Sequence, residues 1–324
     1  MAKTVLLPLL ADGAFHSGQE LADHLGISRT AVWKQLRKLK DLGLEFEVNK
    51  GQGYRIPGGL DLLARDRVLQ HMSPAARSQL FDLEVHSSLD STNAELLRRL
   101  DAGAVSGLAC TAEIQTAGRG RRGRTWVSPF ASNIYLSLAW EFEGGVAALE
   151  GLSLAVGVAV VDALESLGVN GVTLKWPNDL LFRGAKLGGI LIEMVGDVAG
   201  SCQVVVGLGL NVRMPDESAR GIDQAWTELH AICAEPPGRN PLLAALLENL
   251  LDLMGGFERS GFAPWRERWQ QLDSFSGQPV VVSSGEQRTA GTCMGIDDTG
   301  ALVLKVGEMM QVFHGGEVSL RPDA

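Results

Sequence analysis

Between residues 61 and about 271 the chain alternates apolar, strand-like runs with helical stretches, and this alternation constrains the fold more than any other feature. The run from Gly151 to Leu167 is apolar nearly all round and has no period-two alternation, as expected for a helix buried against a sheet. The sequence therefore predicts a central α/β domain, with strands that include residues 133–140, 172–176, 189–193 and 204–208.

No targeting segment or membrane span is predicted. The longest nearly uncharged run, 151–161, is shorter than the roughly 18 residues that a spanning helix needs. The apolar residues 5–10 are followed by Asp12 without a small-residue cleavage site. The four cysteines are spaced for neither a metal cluster nor a disulfide scaffold, which favours buried free thiols. We expect a soluble, cytoplasmic chain.

Residues 1–60 have the pattern of a winged helix-turn-helix. Ser17, with a glutamate three residues later, predicts a capping box at the start of a short helix. After the turn at Gly26, Ser28 can cap a second helix that runs from Arg29 towards Leu42. Strands at 44–48 and 54–56 predict a hairpin wing, and Pro-Gly-Gly at 57–59 predicts a linker.

The second helix is basic on the side opposite its apolar residues. Such a helix can enter the major groove of DNA, or its cations can simply solvate an exposed face. Residues 1–60 carry a net charge of +2 within a chain of −9, so any DNA contact is expected to be local to this module. The predicted DNA-binding residues are Ser28, Arg29, Lys34, Arg37 and Lys38.

Four arginines interleave with three glycines from Gly118 to Arg124. Closely spaced arginines repel one another unless an anion binds among them, and glycine lets backbone amides approach phosphate oxygens. A disordered basic tail or an RNA-binding Arg/Gly stretch would normally repeat at length, whereas this segment occurs once between two foldable regions. The pattern favours a nucleotide phosphate loop, followed by Trp126, which could stack on a base or be buried.

Two further segments carry charged or glycine residues at strand ends. Lys-Trp-Pro-Asn-Asp at 175–179 precedes Lys-Leu-Gly-Gly-Ile at 186–190. Two lysines can neutralise a carboxylate and a phosphate, and the oxygens of Asn178 and Asp179 suit Mg²⁺, although Lys175 and Asp179 could also form only a surface pair. Gly-Leu-Gly-Leu-Asn at 207–211 offers glycines that would let a ligand lie against the backbone.

The sequence shows no Ser-His-Asp or Cys-His arrangement, and the six histidines form no pair with metal-ligand spacing. A nucleotide loop with cationic side chains but no protein nucleophile suits a reaction in which a bound carboxylate itself attacks ATP. We therefore predict an adenylation reaction.

From residue 278 to the end, short strands alternate with Gly and Asp turns. The strands predicted at 280–283, 289–294, 301–306 and 310–314 indicate a small barrel.

Taken together, Ser-Thr-Asn at 91–93, the Arg/Gly loop and the three glycine- and lysine-containing segments closely resemble the biotin protein ligases in order and spacing. The helix-turn-helix and the C-terminal strands resemble the bifunctional members that are also biotin operon repressors. The resemblance implies an α+β multidomain chain: a winged helix-turn-helix at 1–60, a class II synthetase-like catalytic domain at 61–273, and an SH3-like barrel at 274–324.

The resemblance also implies an activity: ATP-dependent formation of biotinyl-5′-AMP, followed by transfer of biotin to a lysine of the biotin carboxyl carrier protein of acetyl-CoA carboxylase. Biotinyl-5′-AMP would also be the corepressor for operator DNA. A single small basic module buries too little surface for tight binding, so we expect a homodimer on DNA.

Residue roles follow from the same resemblance. The biotin contacts would be Ser91, Thr92, Asn93 and Gln115, and the loop closing over biotin and adenylate would contain Arg119, Gly120 and Arg121. Lys186 would contact the biotin carboxylate and then the adenylate phosphate, Trp126 would stack on adenine, and Arg321 would reach towards the nucleotide. Lys186, Arg119 and Arg121 are the catalytic candidates and Asp179 the Mg²⁺ ligand; the remaining binding candidates are Lys175, Asn178, Gly207, Gly209 and Asn211.

Two other classes stay open from the sequence. A lipoate ligase would share the catalytic domain, although it would not ordinarily carry this helix-turn-helix or the full Arg/Gly loop. A ligand-sensing repressor without turnover would need the same pocket.

Overall fold

A computed structural model describes residues 6–196, 200–315 and 318–322 of the 324-residue chain. The first elements form a winged helix-turn-helix: α1 Leu7–Leu10, α2 Gly18–Leu25, α3 Arg29–Asp41, β1 Glu47–Asn49 and β2 Gly53–Arg55. The predicted caps are confirmed, because Ser17 and Glu20 form a capping box on α2 and the Ser28 hydroxyl accepts from the Ala31 N–H on α3. Gly26 ends α2 in the left-handed region, at φ +62°.

The wing is shorter than predicted. Residues 44–46 are not a strand, because the Leu44 N–H donates to the Leu39 carbonyl and closes the end of α3 instead of pairing with β2. The side chains of Leu44 and Phe46 pack against the core of the module. β2 ends at Arg55, and the Ile56 carbonyl accepts from Gly59 N–H in the turn that follows.

The winged module does not complete its core alone. Phe130, from a later part of the chain, is 4% exposed and belongs to the same hydrophobic cluster as Leu21 and Leu36, and Ile114 and Ala131 pack against that cluster. The chain after the wing is held by buried polar contacts: Glu113 accepts from the Leu63 N–H at 2.6 Å and from Arg239 at 2.7 Å. The segment just after the linker is therefore fixed within the central domain.

The central domain is built on a seven-stranded sheet with the order β3-β4-β5-β9-β8-β7-β6. Among the described strand pairs of this sheet, β3–β4 is parallel and the other five are antiparallel. The strands are β3 Asp82–His86, β4 Leu108–Ala112, β5 Ile134–Phe142, β6 Val172–Lys175, β7 Asp179–Phe182, β8 Ala185–Gly196 and β9 Cys202–Leu210. The predicted strands are confirmed, and β8 and β9 extend further than their sequence patterns because they pair with each other over nine residue pairs.

Helices cover both faces of this sheet. On one face α6 packs Leu96 and Leu100 against Leu108 and Cys110, and on the other α7 and α10 lie over the larger core. The helices are α4 Arg65–His71, α5 Pro74–Gln79, α6 Thr92–Asp101, α7 Leu152–Ser166, α8 Asp216–Ala219, α9 Leu229–Ile232, α10 Arg239–Ser260 and α11 Ala263–Leu272, with single 3₁₀ turns at Arg121–Gly123 and Val146–Leu149.

The buried helix predicted from residue 151 is α7. Within the described residues, Val146–Ser166 is long and apolar enough by composition to cross a membrane. Most of α7 is buried against the sheet, α10 and α11, which is what a core helix of a folded domain requires.

The C-terminal residues form an antiparallel five-stranded sheet with the order β13-β12-β11-β10-β14. Its strands are β10 Pro279–Ser284, β11 Gln287–Ile296, β12 Leu302–Val306, β13 Met309–Phe313 and β14 Val318–Pro322. The all-β C-terminal domain is confirmed; β14 was not predicted as a strand. Val280, Leu302 and Leu304 belong to the same core cluster as the central domain, and the Trp176 indole donates to the Gly300 carbonyl at 3.0 Å.

Candidate active site

A cavity of about 700 Å³ opens where the central sheet, the Arg/Gly loop and the C-terminal domain meet. Every residue predicted to contact biotin or nucleotide lines it, with the exception of Asn211. The lining residues that the sequence indicated are Ser91, Thr92, Asn93, Gln115, Arg119, Gly120, Arg121, Trp126, Lys175, Asn178, Asp179, Lys186, Gly207, Gly209 and Arg321.

One end of the cavity is formed by the start of α6. Ser91 is the N-cap residue, and its hydroxyl accepts from the Ala94 N–H. The Gln115 carbonyl oxygen accepts from the Thr92 N–H at 2.9 Å and lies 3.2 Å from the Thr92 hydroxyl oxygen. Ser91, Thr92 and Asn93 are all buried, so this end presents a small set of fixed polar groups.

The Arg/Gly loop is closed by its own backbone. The Gly120 N–H donates to the Arg124 carbonyl at 2.7 Å, and the Trp126 N–H donates to the Gly118 carbonyl at 2.9 Å. Gly118 is required sterically, because a Cβ there would lie 2.6 Å from the Ser128 hydroxyl oxygen. At Gly120 the nearest atom to such a Cβ is 3.6 Å away, so a side chain there would cause no steric clash with the protein.

Two arginines of the loop reach across the cavity. Arg119 donates to the Glu193 carboxylate at 3.0 Å, and Arg121 donates to the Asn178 side-chain oxygen at 2.8 Å. Burial lowers the pKa of Arg121, while the negative charge of Asp179 acts in the opposite direction. Arg121 therefore brings a desolvated cation towards the lysines of the site.

Two lysines converge on Asp179. The Lys186 ammonium lies 2.6 Å from one carboxylate oxygen, and the Lys175 ammonium lies 3.7 Å from the other. Burial is the largest cause of a lowered pKa at Lys175, and the positive charges of Lys186 and Arg321 lower it further. Because several cations face a single carboxylate, this end of the cavity is suited to bind additional negative charge.

Asp179 and Asn178 do not offer free oxygen ligands to Mg²⁺. Both Asp179 oxygens face ammonium groups, and the Asn178 oxygen accepts from Arg121. Mg²⁺ at nucleotide sites is held by one or two carboxylates together with waters and substrate phosphates. The structure places protein cations where the sequence suggested a metal ion, so we derive no step through a metal held by Asp179.

The glycines of 207–211 accommodate protein side chains. A Cβ at Gly207 would lie 2.2 Å from the Asn93 side-chain oxygen, and a Cβ at Gly209 would lie 2.5 Å from the Trp126 ring. In the structure the space beside these two glycines is filled by the side chains of Asn93 and Trp126. The Lys186 ammonium lies 5.5 Å from the Trp126 ring centroid.

Asn211 lies behind the cavity. It is 4% exposed, and its amide donates to the Thr227 carbonyl at 3.0 Å. Its side-chain oxygen has no hydrogen-bond partner within the described residues. Asn211 thus links two chain segments and is not assembled with the other predicted residues.

Several lining residues carried no motif in the sequence. Asp223, Gln224 and Ala225 reach the cavity because the Ala225 carbonyl accepts from the Lys186 N–H at 2.9 Å. Phe275 and Leu320 come from the C-terminal region. Their sequence positions give no local signal, since only the folded chain brings them beside Lys186.

The sheet brings together a group of side chains with possible metal-ligand atoms. Ligand atoms of Glu84, His86 and Cys110 lie within 4.8 Å of one another, although their spacing gave no metal signal. They meet because β3 and β4 pair in register with Glu84 opposite Cys110. Arg99 already bonds Glu84 at 2.9 Å, so a protein cation compensates this carboxylate.

The predicted DNA-binding side chains lie on the exposed side of α3. Arg29, Lys34, Arg37 and Lys38 are all exposed, while Val32, Leu36 and Leu39 are buried on the opposite side. The Ser28 hydroxyl is engaged as the helix cap. The structure thus brings the four cations to one solvent-facing surface.

Comparison with known proteins defines the class. The model of the biotin/lipoate A/B protein ligase family matches residues 85–211, a helix-turn-helix model matches 2–55, and the biotin protein ligase C-terminal domain matches 275–321. The biotin protein ligase of Aquifex aeolicus, solved with biotin and ATP, is 29% identical, with a TM-score of 0.64 over 75% of this chain and 100% of that chain. The fold is that of a biotin protein ligase.

The relatives extend the match to the whole chain. The bifunctional ligase/repressor BirA of Salmonella typhimurium is 40% identical over 98% of this chain and 96% of its own length. The biotin–[acetyl-CoA-carboxylase] ligase of Paracoccus denitrificans is 37% identical over 71% of this chain and 96% of its own. The chain belongs to the family of bifunctional biotin ligase/repressors. The predicted resemblance and fold class are confirmed.

Proposed function

We propose that the cavity forms biotinyl-5′-AMP from biotin and ATP and then passes biotin to a lysine of the biotin carboxyl carrier protein of acetyl-CoA carboxylase. The convergence of Lys175, Lys186 and Arg121 around Asp179 carries this proposal, because the first step joins two anions. The other end, at Ser91–Asn93, offers the fixed polar groups that a cyclic urea can bond.

In the first step a biotin carboxylate oxygen attacks the α-phosphorus of ATP, and the bond to pyrophosphate breaks. In this proposal Lys186 leaves Asp179 for the incoming carboxylate and stabilises the charge that develops on the phosphate; its contact with Asp179 supports the role. Lys175, Arg121 and Arg321 line the same region and offset the remaining negative charge. We assign Trp126, which lines the cavity, to contact with the adenine base.

In the second step the carrier lysine amine attacks the acyl carbon, and AMP leaves. The mixed anhydride must be kept from water until then, and we assign this role to the loop containing Arg119, Gly120 and Arg121. Lys175, Asn178, Asp179, Gly207 and Gly209 complete the proposed binding site.

The test is pyrophosphate release on addition of biotin to the full chain with ATP and Mg²⁺, followed by labelling of a carrier domain. Biotin-dependent release and a single modified lysine are expected. Release that does not depend on biotin, or that follows lipoate instead, would overturn the proposal.

We also infer that the chain represses biotin synthesis genes in the cytoplasm, as a homodimer on DNA with biotinyl-5′-AMP as corepressor. The exposed cations Arg29, Lys34, Arg37 and Lys38 on the capped helix α3 support this role. We also propose that the chain divides into three domains, with boundaries at 60/61 and 273/274. Footprinting of the protein's own biotin-synthesis promoters tests it: protection that requires biotinyl-5′-AMP is expected, and its absence would contradict the repressor role.

A further inference from the structure

Glu193 accepts hydrogen bonds from two residues that line the cavity. This β8 residue does not itself line the cavity. One of its carboxylate oxygens accepts from the Asn93 amide at 2.8 Å and from the Arg119 guanidinium at 3.0 Å. A single oxygen therefore joins the helix that carries the Ser-Thr-Asn segment to the Arg/Gly loop.

A continuous set of hydrogen bonds leads away from this carboxylate. The Asn93 side-chain oxygen lies 2.6 Å from the Ser137 hydroxyl, which lies 2.8 Å from the Thr92 hydroxyl. The Thr92 N–H donates to Gln115, which in turn donates to the Ser128 hydroxyl at 3.1 Å. Ser137 is fully buried and lies outside the cavity lining.

The carboxylate sets the direction of these bonds. An ionised carboxylate only accepts, so Asn93 presents its NH₂ group to Glu193; the second N–H of that group meets the Leu191 carbonyl at 3.2 Å. The Asn93 oxygen then faces Ser137, which donates its one proton there. The Ser137 oxygen is left to accept from Thr92. Without Glu193, the Asn93 NH₂ group loses its charged acceptor, and the orientation of the amide is less strongly fixed.

The donor and acceptor directions of these side chains matter for biotin, the ligand of the proposed function. The ring system of biotin is a cyclic urea, with two N–H donors and one carbonyl acceptor. A site that hydrogen-bonds such a group discriminates strongly against ligands that lack it, because a mismatched ligand leaves a buried polar group unpaired.

We propose that Glu193 is a positioning residue of the ligase. It sets the hydrogen-bond direction of Asn93, Ser137 and Thr92 for biotin, and it tethers Arg119 of the Arg/Gly loop. The proposal rests on the proposed function for its ligand, and it assigns roles to Glu193 and Ser137, which carried no motif. Because Asn93 and Arg119 share one oxygen, pocket polarity and loop attachment depend on the same carboxylate.

Three variants of the full chain separate the two roles. Glu193→Gln keeps the side-chain shape but removes the charge and permits the opposite amide direction. Ser137→Ala interrupts the chain of bonds and leaves the contact of Arg119 with Glu193 in place. Glu141→Gln is the matched control, since Glu141 is an exposed carboxylate on β5 of the same sheet and lies outside the cavity lining.

Biotin affinity is measured by calorimetry and loop attachment by trypsin cleavage within residues 119–124 of the ligand-free chain. For Glu193→Gln we expect biotin affinity to fall by about tenfold or more, as typical for a lost charged hydrogen bond, and the loop to be cut faster. In adenylation assays KM for biotin should rise while kcat changes little. Ser137→Ala should weaken biotin binding without changing cleavage, and Glu141→Gln should change neither.

The proposal is overturned if Glu193→Gln binds biotin and resists trypsin like the unmodified chain. The polarity role alone is overturned if Ser137→Ala leaves biotin affinity unchanged. The proposed function fails separately, if the unmodified chain releases no biotin-dependent pyrophosphate. The trypsin comparison needs neither ligand nor turnover, so it still tests the tether in that case.

Discussion

The Lys186 ammonium lies 2.6 Å from the Asp179 carboxylate, although the lysine was assigned to the biotin carboxylate and the aspartate to a metal ion. Asp179 thus occupies the ammonium group that the proposed reaction assigns to the biotin carboxylate. A second carboxylate entering the site would compete for the same ammonium.

We predict that Lys186→Ala reduces the rate of adenylation by about 10²–10³, the usual effect of removing one preorganised charged group from a developing anion. Biotin-dependent pyrophosphate release measures it. Lys305→Ala serves as the control, because Lys305 is an exposed lysine of β12. A rate within a few-fold of that control would remove Lys186 from the reaction.

Adenylation should lose activity on the alkaline side at a lower pH than an ordinary lysine would impose. The pKa of Lys175 is lowered by burial and by the neighbouring positive charges, so its ammonium is present below that lowered value and is lost as pH rises through it. Lys175→Arg keeps its charge at all relevant pH values, and we expect it to extend activity to higher pH. Coincident pH–rate profiles for the two proteins would count against this role.

Substitutions at Gly207 and Gly209 should weaken the binding of different substrates. A Cβ at Gly207 displaces Asn93, so Gly207→Ala should weaken biotin binding by about tenfold or more. A Cβ at Gly209 displaces Trp126, so Gly209→Ala should act mainly on ATP binding. Calorimetry with each substrate measures both, and Gly256→Ala in α10 is the control because a Cβ there meets no atom within 4 Å. Equal losses for both substrates in both variants would contradict the separation.

Arg37→Ala and Lys34→Ala should weaken operator binding and reduce the slope of log affinity against log salt by about one each, as expected when a phosphate contact is lost. Ligase activity should be unchanged, since both side chains are exposed on α3 and lie outside the cavity lining. Binding titrations at several salt concentrations provide the measurement. An unchanged salt slope would show that these cations do not contact phosphates.

The sequence by itself determined the features whose causes are local. Caps at Ser17 and Ser28 follow from hydrogen bonds within one helical turn, and the burial of α7 follows from apolar residues on all its sides. The Arg/Gly loop and the lysine segments were identified because arginines and glycines so closely spaced have few structural uses. These motifs were enough to predict the family, and all but one of the predicted biotin- and nucleotide-site residues line the cavity.

Only the tertiary structure decided which groups meet. Glu193 bonds Asn93 one hundred residues away because β8 pairs with β9, whose Gly207 leaves room for the Asn93 side chain. Asn211 lies at the end of a matching motif yet bonds Thr227 behind the cavity, and Phe130 completes the core of a module more than seventy residues earlier. Such contacts depend on strand register and on the packing of distant segments, which no local pattern of residues encodes.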